Sequence, residues 1–168
     1  MEYVYVGKIV NTHGIKGEIR ILSNFDKKEL VFKKDTNIYL GNNKEHQIIN
    51  TYRKHKNYDM ITFKDINNIN EVLKYKGLKV YINRDDLNLN YKEYILDDLL
   101  GLNITSNNNN YGIVEDIFDN NGNILLAIKF EKNYYIPYNS NYIKEVDLQN
   151  KCIYVNNVEE LIIWDLIF

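Results

Sequence analysis

The sequence predicts a mainly β protein built as two small domains, and three observations carry that expectation. Apolar residues alternate with polar ones in many short runs, the alternation lapses once near the middle, and the charge changes sign across that lapse. In "GEIRIL", Ile19 and Ile21 fall on one face of an extended chain and Glu18 and Arg20 on the other. The same period of two recurs at Leu78, Val80 and Ile82, at Ile124, Leu126, Ile128 and Phe130, and at Ile153 and Val155. Many short strands divided by turn signals point to closed or sandwiched β structure. With 168 residues, 45% of them apolar, there is material for a core in each half.

The first elements lie in "VGKIVNTHGIKGEIR", Val6 to Arg20, where three of the chain's 8 glycines, Gly7, Gly14 and Gly17, stand among Lys8, His13, Lys16 and Arg20. A phosphate-binding loop runs from a strand through glycines into a helix. Here the glycines lead into "EIRIL", which alternates like a strand. A GXXG backbone clamp joins two helices, and neither flank of "GIKG" has a helical pattern. The spacing therefore predicts a strand, a tight turn and a second strand, with Gly14 and Gly17 supplying backbone angles that a side chain disfavours. The basic residues would crowd one end of that hairpin. There they either reach phosphates without reading bases or simply keep the turn soluble, and spacing alone leaves both open.

Next, "NNINEVLKYKG" breaks the period of two: Asn68 is placed to cap a helix, Glu71 follows three positions later, Ile69, Val72 and Leu73 sit at helical spacing, and Gly77 is the stop. A short helix between strands is expected. In "NRDDLNLNYKEY", Asn83 to Tyr94, polarity rises and periodicity lapses without proline or glycine, so the domain boundary falls there. The run Asn107 to Asn110 between two apolar stretches is a loop. Pro137 marks a strand end because it has no N–H to give to a ladder.

Several classes of chemistry are not indicated. The single cysteine, Cys152, rules out an intramolecular disulfide and a thiolate metal cluster, and its place in the alternating "KCIYV" suits a packed thiol. His13, His46 and His55 lack partners at metal-ligand spacing, so neither a metal nor a cofactor is expected. Adjacent Asp97 and Asp98 would point to opposite faces of an extended chain and are poorly placed to share a substrate. The longest apolar run, "LIIWDLIF", is interrupted by Asp165 and is far short of the roughly 20 residues of a membrane helix. "MEYVYV" lacks the charged start of a secretory signal. A soluble, cytoplasmic protein without a membrane partner is expected.

Net charge is −2, yet residues 1–84 hold 16 Lys/Arg against 9 Asp/Glu and residues 85–168 hold 5 against 14. A basic half suits phosphate backbones and an acidic half suits a basic partner, or the split is ordinary solvated surface of uneven composition.

"VGKIVNTHGIKGEIRI" resembles the N-terminal signature of the ribosome maturation factor RimM family: Val-Gly-Lys-Ile, a few residues, then His-Gly-Leu-Lys-Gly-Glu-Val-Arg. In order along the chain, "INEVLKYKGLKVYINRDDL" resembles the helix and strand that close the family's first domain. "EYILDDLLGLNI" resembles the Tyr-x-x-x-Asp-Leu-x-Gly opening of its second, and "YGIVEDIF" and "YYIPYNSNYIKEVDLQNKCIYV" resemble later barrel strands.

The resemblance implies two small β-barrel domains: an N-terminal RimM barrel over residues 1–84 and a C-terminal PRC-barrel over 94–168, joined by a linker at 85–93. It implies a monomeric assembly factor, not an enzyme, that binds the head of the immature small (30S) ribosomal subunit. The second domain would contact a basic head protein, the nineteenth of the small subunit, during maturation of 16S rRNA. On the same footing Lys8, His13, Lys16 and Arg20 face rRNA. Tyr94 and Asp98, with Leu99 and Gly101, form the second domain's first strand and part of its protein-binding face, or Leu99 and Gly101 are plain barrel core. Tyr135 and Tyr138 join that face or belong to the core. Two positions depart from the family pattern. Ile95 stands where a second aromatic is usual, and "VEEL", Val158 to Leu161, stands where Pro-Glu-Gly-Leu is usual, followed by an apolar tail that packs on the barrel or offers a partner surface.

Overall fold

The computed structural model describes the backbone of residues 1–167 and the side chains of residues 1–162. The chain divides into two compact units, Met1–Asn90 and the remainder from Tyr91. The first contains six strands: β1 (Tyr3–His13), β2 (Glu18–Leu22), β3 (Asn37–Leu40), β4 (Glu45–His55), β5 (Tyr58–Phe63) and β6 (Lys79–Asn83). They pair in the order β1-β2-β5-β4-β3-β6, and β6 pairs back with β1, so the sheet closes on itself and leaves no edge. Alternation is the cause. Val4, Val6, Ile19, Ile21, Ile38, Leu40, Val80 and Ile82 are buried in the interior while the residues between them, such as Tyr5, Arg20, Tyr39 and Tyr81, face out.

Strand β1 has eleven residues and must bend to pair on both sides. Register shifts between Tyr5 and Gly7 and between Ile9 and Asn11 provide the bend. Gly7 belongs to this bend and not to a turn: a Cβ there would lie 2.9 Å from both Ile21 Cγ2 and the Leu22 carbonyl.

The helix expected at residues 67–77 is instead two consecutive 3-10 turns, Ile69–Glu71 and Leu73–Tyr75. Asn68 does cap the first, its Oδ1 accepting from the Asn70 N–H at 2.8 Å. The burial period is three, not 3.6: Val72 and Tyr75 are buried whereas Leu73 is half exposed, as a 3-10 geometry demands. The boundary segment is also more ordered than a bare linker. Arg84–Leu87 forms a 3-10 turn capped by Asn83, and Leu87 is buried.

The second unit has strands β7 (Asn103–Ser106), β8 (Asn109–Asn120), β9 (Asn123–Lys129), β10 (Tyr134–Pro137), β11 (Ile143–Asp147) and β12 (Cys152–Val155) in the order β10-β9-β8-β7-β12-β11. All pairs are antiparallel except β12 with β7. The Asn107–Asn108 pair makes the β7–β8 turn with φ of 49° and 65°, the left-handed angles of a type I′ hairpin that asparagine tolerates. Leu99, Ile104, Leu126, Ile128, Ile136 and Ile153 form the core, and Cys152 is buried with its Sγ 3.0 Å from Thr105 Oγ1. Pro137 ends β10. After Asn157, at φ 56°, helix α1 (Val158–Ile167) begins with Val158 buried and with Leu161 and Ile162 packed on the core. The side chains of the apolar tail from Ile163 onward lie outside the described residues.

One expectation for this unit is corrected. Tyr94, Asp98, Leu99 and Gly101 do not form its first strand; Leu96–Leu99 is a 3-10 turn and the strands begin at Asn103. Asp98 explains the local choice, because its Oδ2 accepts from the Ile95 N–H at 3.0 Å and thereby caps the turn. The two aspartates are not alternate residues of an extended chain: Asp97 is exposed and Asp98 half-buried.

Candidate functional site

The β1–β2 turn is built on glycine. Gly14 and Gly17 have φ of +67° and +88°, which side chains rarely adopt. Gly17 is buried against Asn68, and the Ile69 N–H donates to the Ile15 carbonyl at 2.9 Å, so the turn is fastened to the first 3-10 segment. Ile15 and Lys16 stay exposed at its tip, beside a hollow of about 410 Å³ lined by His13, Gly14, Ile15, Lys16, Glu18 and Thr62.

Beside the turn the outer face of β1, β2, β5 and β4 gathers cations around Arg20. Arg20 pairs with Asn11 on one side and Met60 on the other, and Met60 pairs with Arg53. The Arg20 Nη2 donates to His13 Nδ1 at 2.8 Å, and the guanidinium lies 5.6 Å from the centre of the Tyr58 ring. Arg20 Nε is buried and has no partner. Arg53 grips Glu18 with two hydrogen bonds, Nε to Oε2 at 2.9 Å and Nη2 to Oε1 at 2.6 Å. That grip holds the Glu18 carboxyl below its ordinary range. The His55 ring, 5.8 Å from that of His13, titrates below its ordinary value, first through desolvation and then through the neighbouring charges of Arg53, Lys56, His13 and Arg20. Protonation is disfavoured there because the surroundings are already positive.

Of the four residues expected to crowd the hairpin end, His13, Lys16 and Arg20 do so and Lys8 does not. Lys8 pairs with Leu22 and Lys79, five residues back along β1, roughly 15 Å away. The face instead recruits Arg53, His55 and Tyr58, which reading the sequence missed. Their signal was present in "YRKHKNY", four consecutive basic or imidazole residues between two tyrosines, but only the β2–β5 pairing brings it beside Arg20.

In the second unit Tyr94 and Tyr138 meet through a hydrogen bond between their hydroxyls, and both are half-buried. Tyr135 points away from buried Tyr134 and Ile136; it is 56% exposed, and its ring lies 6.2 Å from that of Phe118, itself 46% exposed. Phe118 is a second residue missed from sequence, since its partner lies on a strand two places away in the sheet. Glu115, Asp116 and Asp119 are exposed along the same strand as Phe118. Tyr134 is buried, and its hydroxyl donates to the Tyr111 carbonyl at 2.7 Å; burial pushes its ionisation above the ordinary tyrosine range. Among the described residues no three His, Cys, Asp or Glu side chains are grouped to hold a metal ion, and no helix is long and apolar enough to cross a membrane.

Comparison with known proteins agrees with this division. Residues 4–87 match the RimM N-terminal domain and residues 96–161 match the RimM PRC barrel domain. A ribosome maturation factor RimM from Staphylococcus haemolyticus is 40% identical over 164 residues, covering 95% of this chain and 98% of its own length. One from Exiguobacterium is 36% identical over 168 residues, covering 96% and 98%. A crystal structure of a 16S ribosomal RNA processing protein RimM from Pseudomonas aeruginosa is similar at 19% identity and a TM-score of 0.47, covering 92% of this chain and 97% of that one. With both domain models matched in order and relatives at this identity aligned over nearly their whole length, the chain belongs to the ribosome maturation factor RimM family.

Proposed function

We propose that this protein promotes maturation of the small-subunit head and processing of 16S rRNA by binding alone, in the cytoplasm, as a monomer. Membership of a ribosome maturation factor family supplies the ribosomal setting. The first unit faces rRNA through His13, Lys16 and Arg20, with Arg53 and His55 beside them and Lys8 further along β1. The second holds a basic head protein, the nineteenth, through Tyr135 and Phe118 and the acidic strand around them, while Tyr94, Tyr138 and Asp98 shape and support that face.

The observation that carries this reading is the opposition of charge between the two compact units. Divided at Asn90, the first holds 16 Lys/Arg against 11 Asp/Glu and the second 5 against 12. Such opposed fields favour phosphate on one unit and a basic protein on the other, and they fix the order in which the two are held. Binding energy is the only resource of such a factor: it stabilises the head conformation in which both ligands can be contacted at once.

The test is capture of the purified basic head protein by the full chain. Wild type should retain it, and Tyr135→Ala combined with Phe118→Ala should lower retention at least tenfold. Equal retention by the double variant would contradict the assignment of that face.

A further inference from the structure

A second surface of the first barrel shares only Lys8 with that account. Tyr5, Tyr81, Tyr39 and His46 are successive register partners across four neighbouring strands, β1, β6, β3 and β4. Their chain neighbours Val4, Val6, Val80, Ile82, Ile38 and Leu40 are buried, so the row faces outward. Tyr5 is 48% exposed. Tyr3 extends the row diagonally, its ring 5.1 Å from that of Tyr39. Three strand spacings make the row about 15 Å long.

Cations lie on these rings. Lys44, in the β3–β4 turn at φ 51°, places its Nζ 4.1 Å from the centre of Tyr81 and 5.5 Å from that of Tyr3. The Lys79 Nζ lies 5.9 Å from the centre of Tyr5, and Lys79 pairs in register with exposed Lys8. Asp86 opposes them: burial first, and then its charge, raise the Tyr39 hydroxyl. Glu45 is engaged elsewhere, with the Tyr75 hydroxyl and Lys74.

We infer that this row binds unpaired RNA by stacking, with two or three bases lying on the rings and their phosphates met by Lys8, Lys44 and Lys79. Sheet-borne aromatic rings spaced in this way accept bases of any identity, because every base has a flat face, and duplex RNA cannot present its bases to them. Charge selects the class of occupant: cations over and beside rings that are exposed at Tyr3 and Tyr5 and half-buried at Tyr39 and Tyr81 suit a polyanion that carries flat rings, and the unit as a whole is positive. The inference rests on the proposal that the first unit faces rRNA, and it adds a different surface and a different RNA state, single-stranded.

The test uses the full chain with a fluorescent twelve-nucleotide single strand, a duplex of the same length, and immature small subunits. Wild type should bind the single strand at least tenfold more tightly than the duplex. Tyr5→Leu and Tyr81→Leu should each weaken single-strand binding by roughly tenfold, whereas Tyr5→Phe, which keeps the ring, should bind like wild type. Lys44→Gln, at a turn residue outside the core, keeps the question answerable if a tyrosine variant unfolds; it should lower the slope of log affinity against log salt by about one. Leucine variants that bind like wild type, or a duplex bound as tightly as the single strand, would overturn the inference. So would variants that lose the subunit but not the RNA, since the row would then meet protein while the ribosomal role stood. Tyrosine-dependent binding of single strands by a protein that ignores immature subunits would keep this inference and sink the ribosomal role instead.

Discussion

The guanidinium of Arg20 donates to Nδ1 of His13 at 2.8 Å, and this contact ties the end of β1 to β2 next to the glycine turn. A guanidinium can only donate, so His13 Nδ1 is the acceptor of this bond.

Replacing Arg20 with glutamine removes that charge from the centre of the basic face. Arg20→Gln is expected to weaken association with immature subunits and to reduce the slope of log affinity against log salt by about one, with the melting midpoint shifted by no more than a few degrees. An unchanged slope in a binding titration at several salt concentrations would remove Arg20 from the phosphate-contacting group.

His55 should make stability depend on pH. Its folded value lies below its ordinary one near 6.5, so the unfolded chain takes up the proton first as pH falls. Stability from this group is complete above the unfolded value and declines as pH drops through it, levelling off below the folded value. Melting curves between pH 7.5 and 5 are expected to show this decline, and His55→Gln should flatten it.

Two glycines with positive φ should differ sharply when changed to alanine. Gly14 has open space where a Cβ would go, so only the backbone angle resists, at about 1–2 kcal/mol. At Gly112, φ 113°, the Cβ would lie 2.5 Å from the Lys129 carbonyl and 2.8 Å from Ile128 Cγ2. Crowding adds to strain there, and Gly112→Ala is expected to cost roughly 3 kcal/mol or more in chemical denaturation.

The tyrosines of the second unit should separate into support and contact. Tyr138→Phe removes one hydroxyl of the Tyr94–Tyr138 hydrogen bond and should cost about 1 kcal/mol of stability. Tyr135→Ala should leave the melting midpoint almost unchanged while weakening capture of the basic head protein, because more than half of its surface is already in water.

Much of this architecture is legible in sequence because period-two burial is a local property. Ile19 and Ile21, Val80 and Ile82, and Ile153 and Val155 all point inward as their spacing indicates. The glycine turn at Gly14–Gly17 is legible for the same reason, since a positive φ is written into one residue at a time. What sequence did not disclose depends on which strands become neighbours. Glu18 and Arg53 are 35 positions apart and meet only because β5 lies between β2 and β4. Phe118 meets Tyr135 across β9, and Tyr5 meets Tyr81 across the seam that closes the first barrel. The 3-10 segments at Ile69–Tyr75 and Leu96–Leu99 escaped for a different reason: a few apolar residues fit periods of three and 3.6 about equally well, and Asp98 acts as a cap only once the chain has turned.

The central claim is that two units of opposite charge recognise an unfinished small subunit. Co-sedimentation of the purified full chain with immature and mature small subunits, at low and moderate salt, tests it most directly. Preferential association with the immature particle, falling steeply as salt rises, is the predicted result. Equal association with both particles, or none with either, would contradict it.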